Sequence, residues 1–543
     1  MRSWHLRLFV LMEMPTLAAL LMIAGWPPPA AAQWTTSQHD NARTGANVHE
    51  TSLTPANVNA ASFGKIFSYQ VDGDIYAQPL YLPRVTMPDQ SVHNIVFVAT
   101  EHDSVYAFDA DGQRRTPLWH VNFLGSGTAP VPARDVDCPL ITPEIGITPT
   151  PAIDTATGTL YVLARTKERL DLLKGGPLTT DRYVQRLHAL AITTGAEKFG
   201  GPVEIKAAVK GRGAASSANG VIDFDPLHQL PRAALLLAGG TVYLSWGSSC
   251  DVDPYHGWVM AYDARTLAQT AVFNTSPDAE KSGIWLGDTG PAADSDGNVF
   301  LVTGNGRFSA SLPGGRDYGD SILKLALTNR SLAIRDFFTP FNQEELNASD
   351  YDLGSGGPIL LPDQPGPHRH LLIAGGKGDG IYLIDRDRMG HYHSGDDSHA
   401  VQVIHKTQGI YSAPAYWNQH VFFLWTDDVL KDFRIDQGRL SSSPVASGAT
   451  RFTDPGATPT ISANGSANGI VWLLRSKGWR APDRPAVLYA LDAANVAHEL
   501  YNSEQKPGRD RAGPCLRFNI PSVAGGEVYV GARRELDVYG LLH

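Results

Sequence analysis

Residues 297–308, GNVFLVTGNGRF, place an asparagine where it could do chemistry. Val299, Phe300, Leu301 and Val302 are apolar and β-branched or aromatic, and read as a strand. Thr303-Gly304-Asn305-Gly306 breaks it, and the flanking glycines permit positive φ and a tight backbone path. The pattern serves either an ordinary turn or a site in which the Asn305 amide oxygen reaches a ligand or ion. Two further stretches set histidine beside acids: SQHDNARTGAN (37–47), with His39, Asp40 and Arg43, and Glu101-His102-Asp103 after a strand ending. A His/Asp pair can do acid–base work. G-x-S-x-G, H-E-x-x-H and P-loop patterns are absent from the sequence.

The chain has 543 residues and three cysteines, Cys138, Cys250 and Cys515. They form no C-x-x-C-H and no C-x-x-C zinc pattern, which excludes a covalent c-type haem. Arg2, His5 and Arg7 precede the apolar run LAALLMIAGW, and Ala30-Ala31-Ala32 offers a cleavage site before Gln33. Residues 1–32 therefore read as a secretory signal peptide, and the chain as exported to the periplasm or beyond the cell. Glu13 interrupts the upstream stretch and no second apolar run of membrane length follows, so no membrane span is expected in the mature chain. Removing residues 1–32 takes away two arginines and one glutamate, moving the formal charge from −10 to −11. Such diffuse acidity argues against a nucleic-acid partner.

The elements that would position these residues come from a repeat. Charged residues are only 18% of the chain, while Gly and Pro number 53 and 37, which suits short strands and turns. A unit recurs: a short strand with Pro or Ala, a Gly/Asp/Asn turn, a VYV-like strand, then an hxAhD-like strand, as in HNIVFVATEHDSVYAFDADG (93–112). Inner strands are expected near residues 78, 149, 233, 290, 357, 412, 458 and 520. Eight four-stranded sheets cannot each bury two faces alone, but stacked radially they can. The fold class is therefore all-β: residues 33–543 form one β-propeller domain of eight four-stranded blades. The last unit lacks a fourth strand, and GKIFSYQV (64–71) is expected to close the ring against it.

The degenerate unit, seen in LHALAITTGAEKF, VMAYDARTLAQTAVF and LYALDAANVAHELY, resembles the repeat of pyrroloquinoline quinone (PQQ) propellers across nearly all of the mature chain. Within that group FLVTGNG resembles the GTGN of quinoprotein alcohol dehydrogenases, whose Asn ligates calcium beside the quinone. The resemblance implies that role for Asn305, and calcium favours such hard oxygen donors. SDYDLGSGGPILLPDQP is similar to the stretch holding the family's catalytic aspartate, which also lies close to the metal. It implies Asp352 as general base, with Asp350 the near competitor. KGDGIYLIDR matches the family's KNGFFYVLDR without a gap and implies Lys377 as the cation on the quinone oxygens.

Departures from the family pattern are as informative. Its vicinal cysteine pair is missing, and DVDCPLITPEIGIT offers only Cys138 at a comparable place. Cys138 and Cys250 fall in loops expected at one end of the propeller, so a Cys138–Cys250 disulfide is expected in that region, leaving Cys515 unpaired and buried. The family's calcium-ligating Glu is absent from SSCDVDPYHGWVMAYD, where Asp251 or Asp253 could substitute, Asp251 being preferred. Glu144 is a reserve carboxylate, and His256 reads as structural. The tryptophan beneath the quinone aligns with Asp288, and Trp285 stands three residues earlier. SQHDNARTGAN resembles the opening of secreted PQQ-like propellers and reads as a ring-closing segment before a catalytic pair.

Two functions follow. One is a dehydrogenase using PQQ and calcium to oxidise an alcohol or sugar hydroxyl, passing electrons to a separate acceptor. The other is a binding or scaffold propeller that has lost the cofactor.

Overall fold

A computed structural model describes Met1 and residues 33–542, apart from 172–178, Asp379, Thr407 and Pro482. All of the expected leader, 1–32, except Met1 lies outside the described residues. Among those residues the chain forms eight antiparallel blades with two short helices, Gln343–Ala348 and Pro507–Asp510. Inner strands begin at Leu80, Ala152, Leu236, Ala292, Ile359, Ala415, Thr460 and Ser522. Each lies two or three residues beyond its expected position. No helix among the described residues is long and apolar enough to cross a membrane.

Middle strands such as Ser104–Asp109 and Thr241–Ser248 are buried at every position. Blades stacked face to face exclude water from both sides, so the polar/apolar alternation of a half-exposed strand gives way to runs such as TVYLSWGS. One core cluster joins Val538 and Tyr529 of blade 8 with Val96 and Phe108 of blade 1 and Val162 of blade 2. The ring closes as expected. Phe63–Gln70 pairs antiparallel with Glu535–Leu541, from Phe63↔Leu541 to Gln70↔Glu535, and supplies the outer strand of blade 8.

A second closure was only partly legible. Residues 34–47 run once around the axis and bond the inner strands of the blades in order. Trp34 exchanges hydrogen bonds with Tyr81 in blade 1, and Thr35 accepts one from Ile153 in blade 2. Asn41 donates to Leu237 in blade 3 and accepts from Ala293 in blade 4. Ala42, Thr44 and Gly45 accept from Leu360, Tyr416 and Ile461 in blades 5, 6 and 7. Asn47 Nδ2 donates to Val523 O in blade 8 at 2.8 Å. Arg43 is fully buried in this hub. Its guanidinium donates to Pro291 O, Ser37 O, Leu235 O and Thr36 Oγ1 at 2.7 to 3.1 Å. Left-handed φ at Gln38, His39, Arg43 and Gly45 lets the segment curl so tightly. His39 and Asp40 are thus parts of a ring-closing segment.

Candidate active site

Blade topology puts the chemistry at one end. Each inner strand starts there, so the loop entering a blade and the loop between its second and third strands share that end. Tyr76, Thr148, Arg232, Ser355, Tyr411 and Phe518 each stand four residues before the inner strand of their blade. All six line one cavity of about 190 Å³ around the axis. The hub bonds lie further along the same inner strands, toward the opposite end.

Asn305 sits in the second-to-third-strand loop of blade 4, Lys377 in that of blade 5, and Asp352 in the entry to blade 5. These three meet. Asp352 Oδ1 accepts the Asn305 backbone N–H at 2.8 Å, and its Oδ2 lies 2.6 Å from Lys377 Nζ. Asp350 joins from the rim, accepting from Asn305 Nδ2 at 2.6 Å and from Lys377 Nζ at 3.1 Å. Asp352 is 3% exposed, whereas the Asp350 side chain is 69% exposed. Burial works against a charged Lys377, but Asp352 and Asp350 more than offset it and hold the ammonium above the usual lysine range. The Asn305 Oδ1 acceptor is buried and has no hydrogen-bond partner.

The glycines around Asn305 act through close approach. Neither Gly304 nor Gly306 has a positive φ. A Cβ on Gly304 would lie 2.2 Å from Asp352 Oδ1 and 2.9 Å from Trp285 Nε1, and one on Gly306 2.2 Å from Ser282 Oγ. Trp285 lies in the entry to blade 4, against the bare Cα atoms of Gly247 and Gly283. Its indole is buried and lines the cavity beside Asp352 and Lys377, with the Nε1–H unpartnered. Asp288 holds the four-before register in blade 4, but its side chain lies outside the described residues.

No protein-family model and no curated protein matches the chain. Solved structures do. A quinohemoprotein alcohol dehydrogenase of Pseudomonas putida HK5 matches with a TM-score of 0.60 at 14% identity, covering 94% of this chain and 80% of that one. The quinohemoprotein alcohol dehydrogenase of Comamonas testosteroni gives 0.59, 14%, 94% and 80%, and a europium-containing methanol dehydrogenase 0.57, 13%, 94% and 98%. The fold is that of the quinoprotein dehydrogenases.

Within this quinoprotein-like propeller, the cavity lining pairs aromatic surface with cations, the chemistry a flat anionic ring would require. Trp285, Tyr411 and Phe518 supply aromatic surface, and Lys377, Arg232 and Arg517 supply cations. A calcium ion finds less. It takes six to eight oxygens, and the buried Asn305 Oδ1 with the Asp352 carboxylate supplies at most three. Asp251 is not gathered with them. It lines the same cavity, but its Oδ1 accepts from Tyr255 Oη at 2.7 Å. Burial and the Asp352 charge push its carboxyl up, against the ionised form a metal prefers. Among the described residues no three His, Cys, Asp or Glu side chains converge on a metal position. These residues would complete a calcium shell only with oxygens from a bound cofactor and water.

Cys138 and Cys250 are joined by a disulfide across 112 residues, and both line the cavity. Cys515 is free and buried. Glu144 turns away to His102, Oε1 lying 2.9 Å from Nδ1. His256 is buried among Ser276 and Ala214 acceptors, as a structural histidine would be. Arg232, Arg517, Phe518 and Tyr411 were missed by sequence reasoning. Their signal was the register, four or five residues before an inner strand.

Proposed function

We propose that this protein is an exported quinone-dependent dehydrogenase, taking PQQ in the axial cavity and oxidising an alcohol or sugar hydroxyl. The observation that carries the reading is the Asp352–Lys377–Asn305 cluster beside Trp285 in that cavity. A bound quinone supplies a two-electron, hydride-accepting centre. Asp352 is the base that takes the hydroxyl proton, its carboxylate aligned by the Asn305 N–H and by Lys377. The Lys377 ammonium stabilises negative charge developing on oxygen atoms beside it. Asp350, Lys377's second carboxylate, keeps that cation placed when Asp352 accepts the proton. Trp285 gives a rigid apolar face and excludes water. Asn305 and Asp352 are the residues that would hold calcium, and the electrons pass to a separate acceptor. The disulfide supports an oxidising compartment, in line with the leader-like N-terminus.

A binding propeller without catalysis is the second reading, favoured by the engagement of Asp251 with Tyr255 rather than with a metal cluster. Titration of the purified protein with PQQ, in calcium and in EDTA, separates the two. The dehydrogenase reading expects stoichiometric binding, calcium uptake only with PQQ present, and loss of that uptake in Asn305→Ala. Absence of PQQ binding under both conditions would leave the scaffold.

A further inference from the structure

A fully buried acid stands behind the Asp352 cluster and does not itself line the cavity. Asp320 lies two residues before the third strand of blade 4, Ile322–Thr328, and is 0% exposed. Its Oδ1 accepts the backbone N–H of Leu353, the residue after Asp352, at 3.0 Å. Its Oδ2 accepts from Gln343 Nε2 at 3.3 Å, and the same amide donates to Gly306 O at 2.8 Å. The Asp320 backbone N–H donates to Gly304 O at 2.9 Å. Asp320 thus holds the carbonyls of both glycines around Asn305, one directly and one through Gln343. It also holds the peptide that follows Asp352.

These are the two segments whose mutual register the site needs. Asp352 Oδ1 meets the Asn305 N–H at 2.8 Å only while the blade 5 entry is fixed to the blade 4 loop. Lys377 secures the other side of the Asp352 main chain, its backbone N–H donating to Asp352 O at 2.9 Å. The brace carries a cost. Asp320 has a left-handed φ of 46°, unfavourable for a residue with a Cβ. Burial and the Asp352 charge push its carboxyl well up, with the bonds from Leu353 and Gln343 opposing them. An apolar residue would avoid that desolvation but would leave the Leu353 N–H and the Gln343 amide short of an acceptor.

We propose that Asp320, with Gln343, is a positioning residue for Asp352, locking the entry that carries the base to the loop that carries Asn305. The role deepens the dehydrogenase reading and rests on it for the reaction that Asp352 serves. Misplacing a reacting group by about 1 Å costs on the order of 10²-fold in rate, so a brace outside the cavity matters to the chemistry inside it.

Two measurements on the purified protein test the role, and the first needs no cofactor. Hydrogen exchange, followed by mass spectrometry on peptides spanning 301–308, reads the Asn305 N–H, whose partner is Asp352 Oδ1. Asp320→Ala should speed exchange there about tenfold or more, while strand Thr241–Ser248 of blade 3 keeps the parent's protection. The second is turnover of PQQ-loaded protein with an artificial electron acceptor. Asp320→Ala should lower kcat about 10²-fold and leave KM within about threefold. Gln343→Leu keeps the Leu353 bond, so it should speed exchange less and lower kcat only about tenfold. Asp320→Asn keeps an acceptor for the Leu353 N–H and should recover part of both losses. In an Asp352→Asn background, Asp320→Ala should change turnover by less than about twofold, because the base it places is gone. A kcat loss of undiminished size in that background would overturn the role. Parent-like exchange at Asn305 in both Asp320→Ala and Gln343→Leu would overturn it too, and Gln343→Leu alone decides if the alanine variant fails to fold. Faster exchange at Asn305 in a protein that binds no PQQ would keep the brace and end the dehydrogenase reading.

Discussion

Lys377 Nζ lies 2.6 Å from Asp352 Oδ2 and 3.1 Å from Asp350 Oδ2, so one ammonium is shared by two carboxylates of very different exposure. The buried one faces the cavity and the exposed one faces the rim. Asp352→Asn should lower turnover with an artificial electron acceptor by about 10²- to 10⁴-fold, the usual share of a positioned base. Asp350→Asn should change it far less, because Asp352 keeps the lysine in place. Equal losses in the two variants would refute the assignment of the base.

Gly304→Ala tests the close approach at Asn305. Its Cβ would fall 2.2 Å from Asp352 Oδ1, an atom already fixed by the Asn305 N–H. The expected cost is about 1–3 kcal/mol of stability, from strain of an overpacked site. PQQ binding should be lost or strongly weakened. A variant that binds PQQ as the parent does would mean that Asp352 can shift without consequence.

Glu101 gives a pH dependence. Its side chain is buried, with Oε2 accepting from Gly146 N at 2.7 Å and from Thr148 Oγ1 at 3.1 Å. Burial pushes its carboxyl up from 4.5 to about 8. Between those values the folded chain holds a proton that the unfolded chain has released. Stability from this group therefore falls as pH rises from 4.5 to about 8 and is level above. Glu101→Gln should remove that component, on the order of a few kcal/mol across the window. Denaturant unfolding of both proteins at several pH values reads the difference in slope, and identical slopes would contradict it.

The Cys138–Cys250 disulfide closes a loop spanning 112 residues between two walls of the cavity. In the chain-entropy model such a loop contributes about 4–5 kcal/mol. Cys138→Ser/Cys250→Ser should lower the unfolding free energy by up to that amount, and added reductant should shift the parent toward the variant. A reductant effect of the same size in the double variant would point elsewhere.

Arg43→Met removes four hydrogen bonds at the hub, leaving Pro291, Ser37 and Leu235 carbonyls and the Thr36 hydroxyl without that partner in a buried interior. A loss on the order of 3–5 kcal/mol is expected. PQQ affinity of the folded fraction should remain, because the hub lies further along the inner strands than the cavity. Loss of affinity without loss of stability would mean that the hub and the cavity are coupled.

The repeat alone determined the architecture. Eight strand–turn–strand units with no other way to bury two faces imply a propeller, and the unpaired GKIFSYQV implies its closure. Asn305, Asp352 and Lys377 were legible because each lies in a local motif at a fixed offset from a strand. Tertiary structure decided what depends on residues far apart in the chain. Asp251 was read as a third metal donor, yet the turn holding it seats Tyr255 on its carboxylate. Glu144 was a reserve donor, yet His102 from the neighbouring loop takes it. Arg232 and Phe518 share a cavity although 286 positions separate them, because closing the ring sets the entry loops of blades 3 and 8 around one axial cavity. Local sequence carries the 2-residue period of a strand and the chemistry of a turn. It carries no record of which entry loops face one another across an axis, since that distance is set only once all eight blades have packed.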